Sequence, residues 1–592
     1  MNRILSLILV FTILLVLLLP GTAFAEDRVV LTIGDVDDRS SSRMDGENQL
    51  GLWQYLEEQL NVEIKFVYLT EEAYATGLSS GNLPDIVATK NNLATILENG
   101  VALNADPYLE EYVPNLLKGD ARLAYDVFKQ LGYQGDGFYF FPQKIGYNGI
   151  GYSNSYYNRG YVVRWDYYKE LGYPPINSED DYLNVLLQMH ANHPFTEEGY
   201  PTYLYGTDAF SGYDTAFRSE LSLDYWAAHK YQNNIFPNEV YDGYTDPKHS
   251  MWWAAMEWQN KLYRAGKENG SYDTDLFTQT REQYRTKCSR GQYLGVHSAN
   301  DRLYDQSVAT DPDTLTGYGM VQTPATNYYT NVYQLLGNGS GYMWFISANS
   351  PHKMEAMRFL NYMCDPDFVR ELTLGRRGET WDYNSDGVPE MNEYGQEQLS
   401  AYKAENASED NYFVRWGSFD KLAPNWPLLR DNSIHPDGYM VDFATINREY
   451  KIATMSNNIS RDICEHYGVE LPTDAFYQVG GLDFRNDCGE AISSCMNSLN
   501  RNQLRILEEA EEILQYIQVD LVLAETDEEW KAIRDETIRK LIDLGELSVF
   551  KAYRRKWNKA AEVIVPIVQQ VQKSNGIIPY TRDEYTDEYH AK

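Results

Sequence analysis

The clearest chemical spacing in the chain runs from Asp382 to Glu393 in DYNSDGVPEMNE. Asp382, Asn384 and Asp386 alternate, Gly387 stands sixth and Glu393 twelfth, which matches D-x-[DN]-x-[DN]-G-x5-E. That spacing gathers hard oxygen ligands around Ca²⁺: three short side chains, a glycine for the sharp turn, and a glutamate able to bind through both oxygens. Pro389 falls at the eighth position, where a short β-ribbon is usual, and flanking helices are not evident from the pattern. A second carboxylate, Asp85, lies in LSSGNLPDI, Leu78–Ile86. Gly81 suits the left-handed end of a helix, and Pro84 biases Leu83 toward extended backbone. Asp85 is therefore expected just ahead of a short buried strand, where it can face a crevice. His190 and His193 stand three apart on an expected helix with no third ligand in view, so no zinc is expected there. No G-x-S-x-G, H-E-x-x-H or P-loop pattern occurs. Apart from calcium, no cofactor is expected.

The elements that must position these groups belong to a long chain. Its 592 residues, 43% hydrophobic and 23% charged, suit two or more globular domains. A formal net charge of −35 argues against nucleic acid or an anionic membrane as partner. Tyrosine is abundant, 49 against 21 Phe and 12 Trp. Such rings suit wet stacking surfaces, and a tyrosine-rich exported surface explains the count equally well. Residues 1–25 read as a targeting segment: Arg3, the apolar run Ile4–Leu19, and the A-x-A site Ala23-Phe24-Ala25. The run is short of the ~20 residues of a membrane span, so cleavage leaving Glu26 first is expected. Five cysteines, Cys288, Cys364, Cys464, Cys488 and Cys495, leave at least one thiol unpaired, and Cys464 with Cys488 or Cys495 is a possible bridge.

Between 29 and 88 the pattern reads strand, helix, strand, helix, strand: VVLTIG, LGLWQYLEEQL, VEIKFVY, Glu71–Ser79 and Asp85–Ala88. This spacing marks an α/β domain with a mainly parallel sheet, whose ligands sit beyond the carboxyl ends of the strands. Phe138–Gly151 has no helical period and reads as a crossing segment. Helices are expected at Arg164–Gly172, Asp181–Ala191, Met251–Ala265 and Pro351–Cys364, and strands at Gly291–His297, Gly317–Thr323 and Tyr342–Ser347. In MWWAAMEWQNKLYRA, the face of Trp252, Met256, Gln259 and Tyr263 fits core packing better than ligand stacking. The last part is helix-rich, with apolar residues at helical spacing in Gln503–Val522, Asp527–Leu544 and Glu546–Lys573. Thr581–Lys592 reads as a loose tail.

In this order the segments resemble the extracellular solute-binding proteins of ATP-driven sugar importers, in the carbohydrate-binding group of the type II periplasmic-binding fold. SSGNLPDI is similar to that family's S-G-D-L-P-D-I, with Asn82 where Asp is usual. LNADPYLEEYVPN (Leu103–Asn115), VVRWDYYKELGY (Val162–Tyr173), SANSPHKMEAMRFLNYM (Ser347–Met363) and GRRGETWDYNSDGVP (Gly375–Pro389) resemble further family segments. The resemblance implies a two-lobed α/β fold with a helix-rich C-terminal part, closing on a sugar about a hinge. Lobe one would hold 26–145 and 318–375, lobe two 146–317 and 376–592. Aromatic faces stack on the C–H side of a pyranose, while carboxylates, amides and Arg bond its hydroxyls. On this basis the candidate ligand contacts are Asp37, Asp85, Arg164, Asp166, Trp226, Asn300, Asp301, Trp344, Glu379, Trp381 and Tyr383. Asp85 and Asp166 also read as turn or helix caps, and Arg164 as half of an ion pair. Many relatives carry a lipid-modified Cys after the leader, whereas Glu26 stands there in this chain.

The function these expectations favour is capture of an oligosaccharide by a monomeric exported protein that delivers it to a membrane permease. A secreted glycoside hydrolase would need two carboxylates about 5–10 Å apart, and a sensor of the same fold would answer to a signalling partner.

Overall fold

The computed structural model describes residues 28–36, 50–89, 93–131, 137–142, 145, 160–207, 231–233, 240–296, 315–323, 328–329, 343–403, 407–417, 428–429, 433–445, 452, 455, 458–479, 482–483, 492 and 499–574. In chain order the strands used below are β1 (Val29–Asp35), β2 (Val62–Tyr68), β3 (Ile86–Thr89), β4 (Phe141–Pro142), β5 (Val162–Arg164), β6 (Tyr203–Gly206), β7 (Tyr231–Asn233), β8 (Val240–Asp242), β9 (Tyr293–Val296), β10 (Tyr318–Met320), β11 (Tyr328–Tyr329), β12 (Met343–Ile346), β13 (Trp381–Tyr383) and β14 (Pro389–Met391).

The first sheet has the order β2-β1-β3-β12-β4. Its first three strands run parallel, and β12 runs against both β3 and β4. The alternation in VEIKFVY turns Val62, Ile64 and Phe66 inward and leaves Glu63 and Lys65 exposed. Helix Gly51–Leu60 presents Leu52, Trp53, Leu56 and Leu60 to that face and ends at Asn61 in the left-handed region. Trp53 meets Phe66 edge-on at 4.8 Å, and Met357, Phe359 and Leu360 of helix Lys353–Tyr362 complete this core. At the outer edge of the sheet, Glu57 Oε1 accepts the backbone N–H of Ile64 at 2.6 Å.

The second sheet has the order β10-β5-β9-β6, with β6 parallel to β9 and β5 antiparallel to β9 and β10. It packs on Tyr182, Leu186 and Met189 of helix Glu179–Asn192, where Ser178 caps Asp181 N at 3.1 Å. Gly319 is bare for a reason: a Cβ there would lie 2.4 Å from the Trp165 ring. The helix Met251–Gly266 carries Trp252, Met256 and Gln259 buried and Tyr263 half-buried, as the core reading of that face expects. Its Asn260 Nδ2 donates to the carbonyls of Val522 (2.9 Å) and Ala524 (2.8 Å), which closes the end of helix Arg501–Leu523.

Two expected boundaries differ from the packing. β10, expected in the first lobe, pairs with β5 in the second sheet, because Tyr318 and Met320 register against Arg164 and Val162. The final helix, Glu546–Ser574, is not confined to the second lobe: Trp557, Ala560, Ala561 and Ile564 form part of the first core. Cys464 is a free buried thiol, so the possible bridge to Cys488 or Cys495 is not made. Its helix, Asn458–Tyr467, turns it inward with Ile459 and Ile463, and burial pushes the thiol up to about 11. Cys288 and Cys364 are also buried and form no disulfide. The expected leader 1–25, Cys488, Cys495 and the expected tail Thr581–Lys592 lie outside the described residues.

Candidate functional site

Register puts Asp35, Tyr68 and Thr89 at one end of the first sheet. Met343 opens β12 opposite Thr89, and Pro142 closes β4 opposite Met343, at that same end. In the second sheet Gly206, Val296, Val162 and Met320 share one end. The chain leaves the first sheet after Pro142 and enters the second at Val162; it leaves the second after Met320 and returns at Met343. Both crossings therefore join the same two edges. The carboxyl ends of β1, β2, β3, β6 and β9 all lie on them, where open α/β sheets hold ligands.

Polar residues gather at these ends. Asp35, Thr89, Thr207, Gln322 and Thr323 are all buried. Thr89 Oγ1 accepts from the Tyr74 hydroxyl at 3.0 Å, a phenol that burial pushes up to about 12. Gln279 Nε2 donates to the Thr207 carbonyl at 3.0 Å, and the Gln322 N–H donates to the Tyr467 hydroxyl at 3.0 Å. Gln322 Oε1 is buried without a hydrogen bond, a cost unless some other donor reaches it. Thr89, Thr207, Gln322 and Thr323 were not picked out from the sequence. The available signal was a polar residue closing a short apolar strand, as Asp35 closes VVLTIGD and Thr89 closes IVAT.

The candidate contacts fall into three groups. Asp37, Trp226, Asn300 and Asp301 lie outside the described residues; in sequence they follow β1, β6 and β9, the strands whose carboxyl ends form the two edges.

The second group is engaged inside the fold. Asp85 sits at the amino end of β3, 5% exposed, with Oδ2 accepting from Thr32 N (2.8 Å) and Oγ1 (2.7 Å) and Oδ1 accepting from Ser350 Oγ (2.6 Å). Its carboxylate ties β1 and the turn at Ser350 to the start of β3. Arg164 closes β5 at the end away from the crossings. Its guanidinium bonds Asp166 through Nε (2.9 Å) and Nη2 (2.6 Å) and the Gly291 carbonyl through Nη1 (2.8 Å). It also lies 4.2 Å over the Tyr167 ring, which stacks on His193 at 3.8 Å. Trp344 is buried in β12, stacked on Phe359 at 5.7 Å. A pocket of about 590 Å³ beside helix Glu71–Ser80 is lined by Thr70, Thr76, Asn82 and Pro84. Asn82 of LSSGNLPDI therefore borders open space while Asp85 points inward.

Glu379, Trp381 and Tyr383 form the third group, brought together around the β13–β14 hairpin. Trp381 is buried and donates Nε1 to the Gly375 carbonyl at 2.8 Å. Tyr383 donates its hydroxyl to Asp437 Oδ2 at 2.7 Å and accepts from Arg370 Nη1 at 2.9 Å. Glu379 accepts the Tyr412 hydroxyl at 2.9 Å. Buried Arg370 bonds Asp437 and the carbonyls of Met440 and Val441. Burial alone would raise the Asp437 carboxyl, but the bonds from Arg370, Tyr439 N–H and Tyr383 hold it far below its ordinary value.

The calcium-like loop spans this hairpin. Helices do flank it, Pro366–Leu374 before and Glu393–Lys403 after, contrary to expectation: an Asp365 cap with Pro366 starts the first, and Glu393 opens the second. Pro389 fits the ribbon as the first residue of β14, opposite Tyr383. Gly387 takes φ +76°, as the sixth position requires. Asp382 is held by Arg377 Nε at 2.7 Å, which draws its carboxyl below the ordinary value. Asn384 Oδ1 accepts from the N–H groups of Asp386 and Val388, each at 3.0 Å. Among the described residues, no three His, Cys, Asp or Glu side chains converge closely enough to hold a metal.

Two α/β sheets, joined by crossings that run between their ligand-binding edges, make the framework of a two-lobed solute receptor. The chain belongs to the bacterial extracellular solute-binding protein family, whose model matches residues 40–368. No curated protein matches by sequence. Among solved structures, a human-milk-oligosaccharide (HMO) binding, ABC-transporter-associated protein from Bifidobacterium longum infantis superposes with a TM-score of 0.57 at 14% identity, covering 90% of this chain and 99% of that one. FusA of S. pneumoniae, an ABC-transporter substrate-binding protein in complex with kestose, gives 0.56 at 14%, covering 89% and 99%; its EF-hand mutant gives 0.53. The alginate-binding protein AlgQ2, without calcium ion, gives 0.55 at 12%, covering 91% and 99%. These likenesses establish the two-lobed fold. No helix among the described residues is long and apolar enough to cross a membrane.

Proposed function

We propose that this protein captures an oligosaccharide between the carboxyl edges of its two sheets and hands it to the permease of an ATP-driven importer. The observation that carries the reading is the pair of crossings, each joining the same two edges, so that a ligand between them would touch both lobes and favour their closed arrangement. Membership of the solute-binding family supports it, as do relatives described as binding milk oligosaccharide, kestose and alginate. Of the candidate contacts, Asp37, Trp226, Asn300 and Asp301 are assigned to the ligand, since they follow strand ends on those edges. In this reading the protein is exported after cleavage at Ala25, acts as a monomer and performs no catalysis. A net charge of −35 favours a neutral glycan over a polyanion. Thermal-shift screening of the full chain against neutral oligosaccharides and uronates tests this. A rise in melting temperature with a neutral glycan supports it; a rise with uronates alone, or with no carbohydrate, ends the neutral-glycan reading.

For the Asp382–Glu393 loop we propose a structural Ca²⁺ site. Oxygen donors at positions one, three, five and twelve and the left-handed Gly387 suit that ion. Asp382 is spent on Arg377, so the cation and the guanidinium would compete for it. Bound there, the ion would brace the hairpin against the two flanking helices.

A further inference from the structure

In each sheet the crossings attach on one side only. They use β12 and β4 of the first sheet, and β10 and β5 of the second. β2 and β6 are therefore the strands farthest from the crossings, and the cleft opens between their carboxyl ends. β2 lies four strand spacings from β4, about 19 Å in all.

Tyr68 closes β2 at that mouth. Register fixes its neighbours: Asp35 stands opposite it on β1, Ala88 opposite Asp35 on β3, Trp344 opposite Ala88 on β12, and Phe141 opposite Trp344 on β4. The alternation that turns Ile64 and Phe66 into the first core puts Tyr68 on the same face of the sheet. The other four members of this row are buried, Asp35 being 3% exposed, while Tyr68 is 43% exposed. Every other strand-end residue with a described side chain on the two ligand edges, from Asp35 and Thr89 to Val296 and Met320, is buried as well. A single exposed tyrosine on an outer surface needs no explanation. One that alone stays open where two sheets present their strand ends does.

The ring is held in place without being used. Leu69 N–H donates to the Asp35 carbonyl at 2.9 Å, so the β1–β2 ladder continues past Tyr68. Two residues back, Phe66 meets Trp53 edge-on at 4.8 Å. The Tyr68 side chain itself makes no hydrogen bond and no ring contact among the described residues. A tyrosine on a fixed backbone loses little rotamer freedom when a ligand covers it, and its face suits the C–H side of a sugar while its hydroxyl stays in water.

We propose that Tyr68 is a stacking platform at the mouth of the cleft, through which the protein selects glycans by chain length. The inference rests on the oligosaccharide reading given above. Each ring of an extended glycan advances the chain by about one strand spacing. A disaccharide held beside the crossings therefore stops short of Tyr68, and a chain of about four units or more reaches it. The platform adds affinity for the long ligand and none for the short one.

Titration calorimetry of the full chain with linear neutral gluco-, fructo- and galacto-oligosaccharides of two to six units tests this, on wild type, Tyr68→Ala and Tyr68→Phe. In wild type, affinity should rise with length. Tyr68→Ala should match wild type within twofold on the disaccharide and fall at least tenfold behind on the hexasaccharide, with an unchanged melting temperature in the absence of ligand. Tyr68→Phe keeps the ring and should stay within threefold of wild type throughout. If Tyr68→Ala binds like wild type at every length, or loses the same factor at every length, the platform is overturned and oligosaccharide capture still stands. A wild type that binds disaccharides but no longer chain overturns the platform too. Wild type that binds no member of any series ends the capture of such glycans, and Tyr68 loses its role with it.

Discussion

Tyr173 donates its hydroxyl to Asp462 at 2.6 Å while holding φ at +54°, a conformation that non-glycine residues rarely take. The same carboxylate accepts Trp165 Nε1 at 2.7 Å and the Lys169 ammonium. His466, one turn beyond Asp462, stacks on the Tyr173 ring at 4.1 Å. One acid thus ties the Trp165–Tyr173 stretch to helix Asn458–Tyr467 and compensates a strained turn.

Removing that acid should be costly. Asp462→Ala leaves three donors without their acceptor and is expected to destabilise the protein by about 3–5 kcal/mol, the range for breaking a buried charged cluster. Tyr173→Phe, losing one hydrogen bond to a charged group, should cost about 1.5–3 kcal/mol. Urea unfolding followed by tryptophan fluorescence measures both. Equal costs for the two variants would show that Asp462 serves Tyr173 alone.

Acid should weaken the same joint. Burial opposes ionisation of Asp462, but bonds from Lys169, Tyr173 and Trp165 outweigh it and hold the carboxyl below its ordinary value; Asp437 is held lower still by Arg370. A depressed folded value means the contribution is complete above the unfolded value, roughly pH 4, and is lost as pH falls toward the folded one. The melting temperature of wild type should therefore drop below about pH 4, and the drop should be shallower in Asp462→Asn.

Asp85 and the edge residues should separate in their effects. Asp85→Asn disturbs the bonds from Thr32 and Ser350 and is expected to lower stability by about 2–3 kcal/mol, with ligand affinity of the folded protein within twofold of wild type. Asp301→Ala and Trp226→Ala should do the reverse, weakening glycan binding tenfold or more with little change in melting temperature. Titration calorimetry beside thermal unfolding makes the comparison. A tenfold affinity loss in Asp85→Asn would return that carboxylate to the ligand.

Calcium supplies a direct competition test. If Arg377 and the cation contend for Asp382, Arg377→Ala should bind Ca²⁺ several-fold more tightly than wild type, and Asp386→Ala should bind it weakly. Calorimetry of metal-free protein gives both values. No heat and no melting shift in any of them would dismiss the site.

The parts of this architecture that depend on local pattern were legible in the sequence. VEIKFVY alternates and is β2; Thr526 caps Asp527–Leu544 and Gly81 ends Glu71–Ser80, so those helices stop where their residues say they should. Some local signals went unread: Thr280 and Gln283 form a capping box on a polar helix with only Tyr284 and Cys288 buried. The end of a sheet at which a residue sits is a different kind of fact. Arg164 was expected to open a helix and was a ligand candidate, but it closes β5, which runs against β9, and that pairing joins segments more than a hundred residues apart. Strands of three or four residues carry too little periodicity to announce such partners. Asp85 shows the same limit from the other side, since its bonds to Thr32 and Ser350 span 53 and 265 residues.

The hydrogen bond from Ile64 N–H to Glu57 concerns a hazard that every open sheet carries. β2 is an outermost strand, and an unpaired backbone donor there invites strand addition by another chain. With that donor occupied by a carboxylate, and Glu63 and Lys65 placing charges on the same strand, an intruding strand must first displace a charge-assisted bond. One side chain of a neighbouring helix thereby guards the open edge of this sheet against edge-to-edge association.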